Sequence, residues 1–530
     1  MRFGWSMRVA YCRAAGPPDK LDVIPSSYKP LAAFGLSAVL AAVAPAPAVP
    51  MQATVPVQAA VPAEAPLSLS TCQIEHPLQL AVVAAECGVL WVAENPRQPG
   101  ARHIPLRIAR VPAISRAKRP DPPFVLAGGP GQAAGAFYVT VAGAFARILR
   151  ERDIVLIDQR GTGDSNRLDC KVDEDFMSHS SAEEIDAATR ACLASLAPRA
   201  DVAYYTTSLA VEDLERVRAA LGYPRINLYG SSYGTRVAQH YLRHYPQRVR
   251  SVILDGVVPV EAALGASAAL DAQAALDAVL ARCAGERACQ GAFGDPAQDY
   301  HAVRAALSAR AIRLNVPDPS SGVPTALEFG PEELATVLRL GTYSSDYAAL
   351  LPLLLHEAGA RENYTPLAAQ FLMIERAYGQ SVAAGMHNSV VCAEDVPFFD
   401  PRDIERTRQA APYLGTTQIE GLKALCRLWP RGPVDADLHA PLESEVPALL
   451  LSGSADPVTP PAGARAAARA FPHSRSLLLE GLGHGQLTVP CMDRVMAQFV
   501  AEASVEQLDA SCTRNARPLP FFISRNGPAP

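Results

Sequence analysis

An α/β architecture, with a mostly parallel, doubly wound sheet and a helical lid, is predicted by three observations on this sequence. From Gly88 onward, apolar runs of strand length alternate with helical patterns. One such run, Ile226–Tyr229, passes through Gly230-Ser-Ser-Tyr-Gly234 directly into a helical pattern that stops at Pro246. The alternation breaks once, between about residues 260 and 425, where an Ala-rich stretch has a helical period instead. The 530 residues are 49% hydrophobic and 19% charged, enough for a large buried core.

In chain order, residues 1–48 read as a signal peptide with an extended positive region. Arg2, Arg8, Arg13 and Lys29 precede the apolar run Leu31–Val43, and Ala44-Pro-Ala-Pro-Ala48 offers small-residue cleavage sites. The run is too short to span a bilayer, so the expectation is an exported protein, periplasmic or extracellular, without stable membrane insertion. Residues 49–70, rich in Pro, Ala and Val, read as a flexible linker. The first part of the core, 71–260, carries strand candidates Val89–Val92, Ile104–Ile108, Phe124–Ala127, Ile154–Ile157, Ile226–Tyr229 and Val252–Leu254, with a helix over Leu209–Leu221 closed by Gly222. The insert, 261–425, carries helical patterns over Ala262–Cys283, Pro296–Ala311 and Pro331–Arg339. Lying between the sixth and seventh strands, it is expected to cover the carboxyl ends of the strands, where open α/β sheets bind ligands. The core resumes over 426–515 with strands Ala448–Leu451 and Ser476–Leu479, and 516–530 is read as a loosely held tail.

The formal net charge of −5, with no basic block, gives no reason to expect nucleic acid or an anionic membrane surface as partner. Cys12 lies in the leader. The other cysteines are even in number, as disulfides in an exported chain require, and fall into neighbouring pairs 72–87, 170–192, 283–289, 392–426 and 491–512. Sequence alone does not fix that connectivity. There is no C-x-x-C and no His at zinc-finger spacing, so no structural zinc is expected.

The strand–Gly-x-Ser-x-Gly–helix passage is the pattern that sets a serine on a strained bend with its hydroxyl pushed into the open. The flanking glycines allow strand and helix to pass closely. Ser232 is thus the expected nucleophile. A serine hydroxyl needs a base, and the base needs an orienting carboxylate. Asp456 follows strand Ala448–Leu451 and His484 follows Ser476–Leu479, and the interval of 28 residues accommodates one helix and one strand. Asp255, at the end of Val252–Leu254, is a rival orienting acid. The expected oxyanion donors are the backbone N–H groups of Tyr233, next to the nucleophile, and of Gly129, with Gly128 next, in Ala127-Gly-Gly-Pro-Gly-Gln132. His240 and His244 have the i, i+4 spacing of metal ligands but lack the intervening Glu of a metalloprotease, and read as surface residues. Neither a cofactor nor a metal is called for.

Together Ala127-Gly-Gly-Pro-Gly131, Asp158-Gln-Arg-Gly-Thr-Gly-Asp-Ser165, Gly230-Ser-Ser-Tyr-Gly-Thr235, Asp456-Pro-Val-Thr-Pro460 and Gly483-His-Gly485 resemble the prolyl iminopeptidase and tripeptidyl aminopeptidase branch of the α/β-hydrolases, over about residues 70 to 515. The resemblance implies an exported serine exopeptidase that acts on peptides with a free N-terminus through an acyl-enzyme. It also implies lid acids that receive the substrate's α-ammonium; Glu394 and Asp395 are the candidates. Asp158 and Arg160 are expected to brace their loop. Prolyl iminopeptidases usually carry His before Gly-Gly-Pro-Gly where this chain has Ala127, which puts strict preference for N-terminal proline in doubt. The alternatives are a carboxylesterase with the same triad and, from another class, a catalytically inactive hydrolase fold that serves as a binding protein.

Overall fold

The computed structural model describes residues 67–98, 100–170, 181–319, 321–410 and 412–528, so the leader call and most of the linker call lie outside the described residues. In chain order the strands are β1 (Ser70–Glu75), β2 (Val82–Ala93), β3 (His103–Val111), β4 (Pro123–Leu126), β5 (Ile154–Ile157), β6 (Ile226–Ser231), β7 (Val249–Asp255), β8 (Ile312–Pro317), β9 (Pro324–Phe329), β10 (Ala448–Gly453), β11 (Ser474–Leu479), β12 (Phe522–Ser524) and β13 (Gly527–Pro528). Nine of them form one sheet in the order β1-β2-β3-β5-β4-β6-β7-β10-β11. The run β5-β4-β6-β7-β10-β11 is parallel throughout, and β1, β2 and β3 add an antiparallel flank. This is the α/β-hydrolase fold.

The central strands are continuously apolar because both of their faces are covered. Every residue of β4, β5, β6 and β10 is buried. The pleat divides them between two cores: Phe124, Leu126, Leu228, Leu254 and Leu450 enter one, Val125, Tyr229, Ile253, Leu449 and Leu451 the other. Three helices show how close the periodic reading came: Thr207–Ala220, Pro296–Ala309 and Pro331–Gly341. The remaining one begins later than expected, at Ala268, and runs to Gly285.

The insert lies between β7 and β10, the seventh and eighth strands of the main sheet rather than the sixth and seventh, because β1 adds a strand at the flank. Ser70–Glu75 offers no apolar run: it is an edge strand, half exposed and polar at alternate positions, tied to β2 by Cys72–Cys87. The insert has a core of its own, with Leu276, Tyr300, Phe329, Leu355 and Phe371, and the hairpin β8–β9 within it. The C-terminal stretch is anchored rather than loosely held. Phe521 is buried under the Arg282 guanidinium, 3.7 Å from the ring centroid, and the Phe522 N–H donates to the Ala349 carbonyl of the insert.

All five neighbouring cysteine pairs are bonded as expected: Cys72–Cys87, Cys170–Cys192, Cys283–Cys289, Cys392–Cys426 and Cys491–Cys512. Among the described residues no helix is long and apolar enough to cross a membrane.

Candidate active site

β6 ends at Ser231 and the helix Tyr233–His244 begins two residues later, leaving Ser232 alone at the bend. Its φ of +55° with ψ of −124° is a conformation that side-chain-bearing residues rarely adopt, and such strain collects at functional sites. The bend is tight enough to exclude larger residues on both sides. A Cβ on Gly230 would stand 2.4 Å from the Gly234 carbonyl oxygen, and one on Gly234 2.3 Å from that of Leu126. The Ser232 N–H donates to the Asp255 carbonyl at 2.8 Å, which pins the bend to the end of β7.

His484 lies against the same corner: its Cε1 is 2.9 Å from where a Cβ on Gly256 would stand. Its Nδ1 meets Asp456 Oδ2 at 2.8 Å, and the carboxylate is itself held by the N–H groups of Val458 and Thr459 and by the Thr459 hydroxyl, at 2.8–2.9 Å. Burial alone would lower the imidazole's pKa, but the Asp456 charge and hydrogen bond, helped by Asp255, turn the net shift upward. The structure thus brings Ser232, His484 and Asp456 to the carboxyl ends of three parallel strands, where the sequence order puts them.

The rival acid has a different job. Asp255 accepts the Gln486 N–H on both oxygens, at 3.0 and 2.9 Å, and the Tyr229 hydroxyl at 2.8 Å. It fixes the backbone two residues beyond His484, and burial pushes its pKa up to about 6.

The loop after β4 runs beside the bend: a Cβ on Gly128 would stand 3.0 Å from that of Ser232. Gly129 has φ of +107°, and Tyr233 opens the helix, where a backbone N–H has no acceptor within the helix. The insert closes on this loop and on the base. The Ala383 N–H donates to the Gly131 carbonyl at 2.9 Å, and the His484 N–H to the Tyr343 carbonyl at 2.7 Å. The Tyr343 ring also stands edge-on to the imidazole with centroids 5.2 Å apart. Neither Tyr343 nor Thr459 was singled out from the sequence; the first is a contact across more than a hundred residues with no motif around it, and the second could have been found from Asp456-Pro-Val-Thr459.

Glu394 and Asp395 require a correction. Both are wholly buried under the elbow helix and already engaged: Glu394 accepts the Thr207 N–H and hydroxyl at 2.6 Å, and Asp395 accepts Arg236 at 2.8 Å and the Leu264 N–H at 2.7 Å. A carboxylate enclosed in this way does not meet an arriving ammonium. The pair instead holds Arg236 and, through Thr207, whose hydroxyl lies 2.7 Å from the Tyr233 hydroxyl, the first turn after the nucleophile. His240, read from sequence as a surface residue, is also buried, at 1% exposure. Arg160 braces its loop as expected, with two bonds to Asp213 and two to carbonyls of Glu94 and Tyr204.

One guanidinium between two buried carboxylates leaves Glu394 short of compensation. Burial pushes its pKa up to about 7, against an ordinary 4.5, although Arg236 and Thr207 oppose the shift. The folded state therefore holds this proton more tightly than the unfolded chain. Its contribution is fully present below pH 4.5 and is eroded as pH rises through about 7. Glu394→Gln has no such proton to lose, so between pH 5 and pH 8 wild type is expected to lose more Tm than the variant. Thermal melts of the two at both pH values check this; parallel losses would remove the linkage.

Family models match two stretches of the chain: alpha/beta hydrolase fold over residues 122–281 and TAP-like protein over residues 411–512. The chain is 27% identical over 429 residues to serine protease Hip1 of Mycobacterium tuberculosis, covering 74% of this chain and 81% of that protein. It is 28% identical over 189 residues to the tripeptidyl aminopeptidase of Streptomyces lividans, about a third of each (33% and 35%). The crystal structure of a proline iminopeptidase from Mycobacterium smegmatis aligns over 78% of this chain and 98% of its own at 17% identity, with a TM-score of 0.35, too loose for anything further to be drawn from it. The first family model holds Ser232 and the second holds Asp456 and His484. With the fold above, the chain is a serine hydrolase of α/β-hydrolase fold, and its likeness runs to serine peptidases, among them a tripeptidyl aminopeptidase.

Proposed function

We propose that this protein is an exported serine aminopeptidase that removes residues from the free N-termini of peptides through an acyl-enzyme. The observation that carries the chemistry is the strained Ser232 at the strand-to-helix bend, beside a corner shared with His484, whose Nδ1 is held by the buried Asp456. In this reading Ser232 Oγ attacks the scissile carbonyl while His484 Nε2 takes its proton. The same imidazole then protonates the leaving amine, and water releases the acyl group. Asp456 orients the ring and stabilises the imidazolium. The N–H groups of Gly129 and Tyr233 receive the oxyanion, where loss of one donor commonly costs about 10²–10³ in rate. Export is supported by the five disulfides, and cleavage from the N-terminus by the likeness to a tripeptidyl aminopeptidase.

A panel of matched peptides and short acyl esters, with the terminal amine free or acetylated, tests the reading. Free-amine peptides are expected to be cleaved, and their acetylated counterparts to lose at least about tenfold in kcat/KM, the effect of one lost polar or charged contact. Equal cleavage of both forms would leave a serine peptidase but remove the N-terminal specificity. Turnover of esters alone would favour a carboxylesterase.

A further inference from the structure

At the opposite end of the elbow helix from Ser232, two histidines and two aspartates converge. His240 and His244 lie one turn apart on that helix. The segment returning from the insert toward β10 lays Asp435 and Asp437 against them. His240 Nε2 is 2.9 Å from Asp435 Oδ2, and His244 Nε2 is 3.5 Å from the same oxygen and 3.8 Å from Asp437 Oδ1. One ligand atom from each residue fits within 4.8 Å of all the others. A tetrahedral ion with bonds of about 2.0–2.2 Å sets its ligands roughly 3.4 Å apart, so closing this cluster takes side-chain adjustments on the order of 1 Å. Its frame is already in place. His240 is fully packed, the Asp435 N–H donates to Ser208 Oγ at 2.9 Å, and the Ala440 N–H donates to the Asp437 carbonyl at 2.9 Å. The other three side chains are between a third and a half exposed, which leaves an entry path.

We propose that His240, His244, Asp435 and Asp437 form a binding site for one divalent transition-metal ion of the zinc class. Two imidazoles with two carboxylates suit zinc, nickel or copper, whereas magnesium and calcium prefer all-oxygen sets. The site is a clamp and takes no part in the chemistry: it ties the segment leaving the insert to the helix that begins at the nucleophile. Its affinity is set below that of a closed structural zinc site, because His240 Nδ1 is buried without a partner. Ligating imidazoles normally donate that N–H, and losing such a partner costs about 10–100-fold in affinity.

The full chain, stripped with a chelator and desalted, is titrated with zinc, cobalt(II), magnesium and calcium chlorides by calorimetry, with cobalt absorption as the report of ligand geometry. One equivalent of zinc or cobalt is expected to bind, with a four-coordinate cobalt spectrum, and to raise Tm; magnesium and calcium do neither at the same concentrations. His244→Ala and Asp437→Asn, both at half-open positions, are expected to weaken zinc at least about tenfold and to abolish the cobalt bands, while keeping wild-type metal-free activity. No saturable binding below millimolar zinc would overturn the site. So would binding that both variants leave unchanged, since the ion would then be held elsewhere.

Discussion

Ser232→Ala is expected to lower kcat/KM by about 10⁶-fold, because nucleophile and base act as a unit and removing either forfeits the covalent route. The protein itself should survive. Ser232 has an N–H bonded to Asp255 and a positive φ imposed by the neighbouring backbone, and alanine keeps both, so circular dichroism and Tm should match wild type. Ser232→Gly is the informative companion. It is equally inactive, but glycine tolerates φ of +55°, and relief of this strain is expected to raise Tm. Hydrolysis of aminoacyl-anilides measures the loss, and labelling by a fluorophosphonate, present in wild type and absent from both variants, assigns it to the hydroxyl. Labelling that persists in folded Ser232→Ala would move the nucleophile elsewhere, and a folded wild type that takes no label would favour a binding protein.

The parts of this fold that sequence disclosed are those whose environment is set by near neighbours. β4, β6 and β10 are buried on both faces and so read as apolar runs, and Gly230 and Gly234 announce a bend too tight for a Cβ. The five disulfides were legible because each joins the nearest cysteines along the chain. β1 escaped notice because an edge strand exposes alternate polar residues, and β8 and β9 because a two-stranded hairpin on an insert is covered on one face only. The site divides the same way. Ser232, Asp456 and His484 each follow a strand, and local pattern marks them. Tyr343 reaches His484 from the insert, and Arg236 turns Glu394 and Asp395 inward. No residue near Cys392-Ala-Glu-Asp395 records that a guanidinium from another helix waits between those carboxylates.

Two acids flank the His484 loop, and their substitution separates an orienter from a support. Asp456→Asn is expected to lower kcat/KM by about 10⁴-fold, because an amide can donate to Nδ1, favour the wrong tautomer and leave the imidazolium uncompensated. Asp255→Asn should cost less than about 10²-fold, the effect of roughly 1 Å of misplacement, since that carboxyl holds the Gln486 N–H and the Tyr229 hydroxyl and makes no bond to the ring. The pH profiles should differ as well. His484 must be neutral to accept the proton, and although burial lowers its pKa, the Asp456 charge and hydrogen bond together with the Asp255 charge carry it above the ordinary 6.5, so wild-type activity falls as pH drops through a value above 6.5. Removing the Asp456 charge leaves burial opposed by Asp255 alone, and the acid limb of the residual activity should move to lower pH. In Asp255→Asn it should shift in the same direction by less, because Asp255 is the smaller contributor. Profiles of kcat/KM for the three proteins decide the matter. An Asp255→Asn variant as impaired as Asp456→Asn, with the larger shift of the two, would transfer the orienting role to the end of β7.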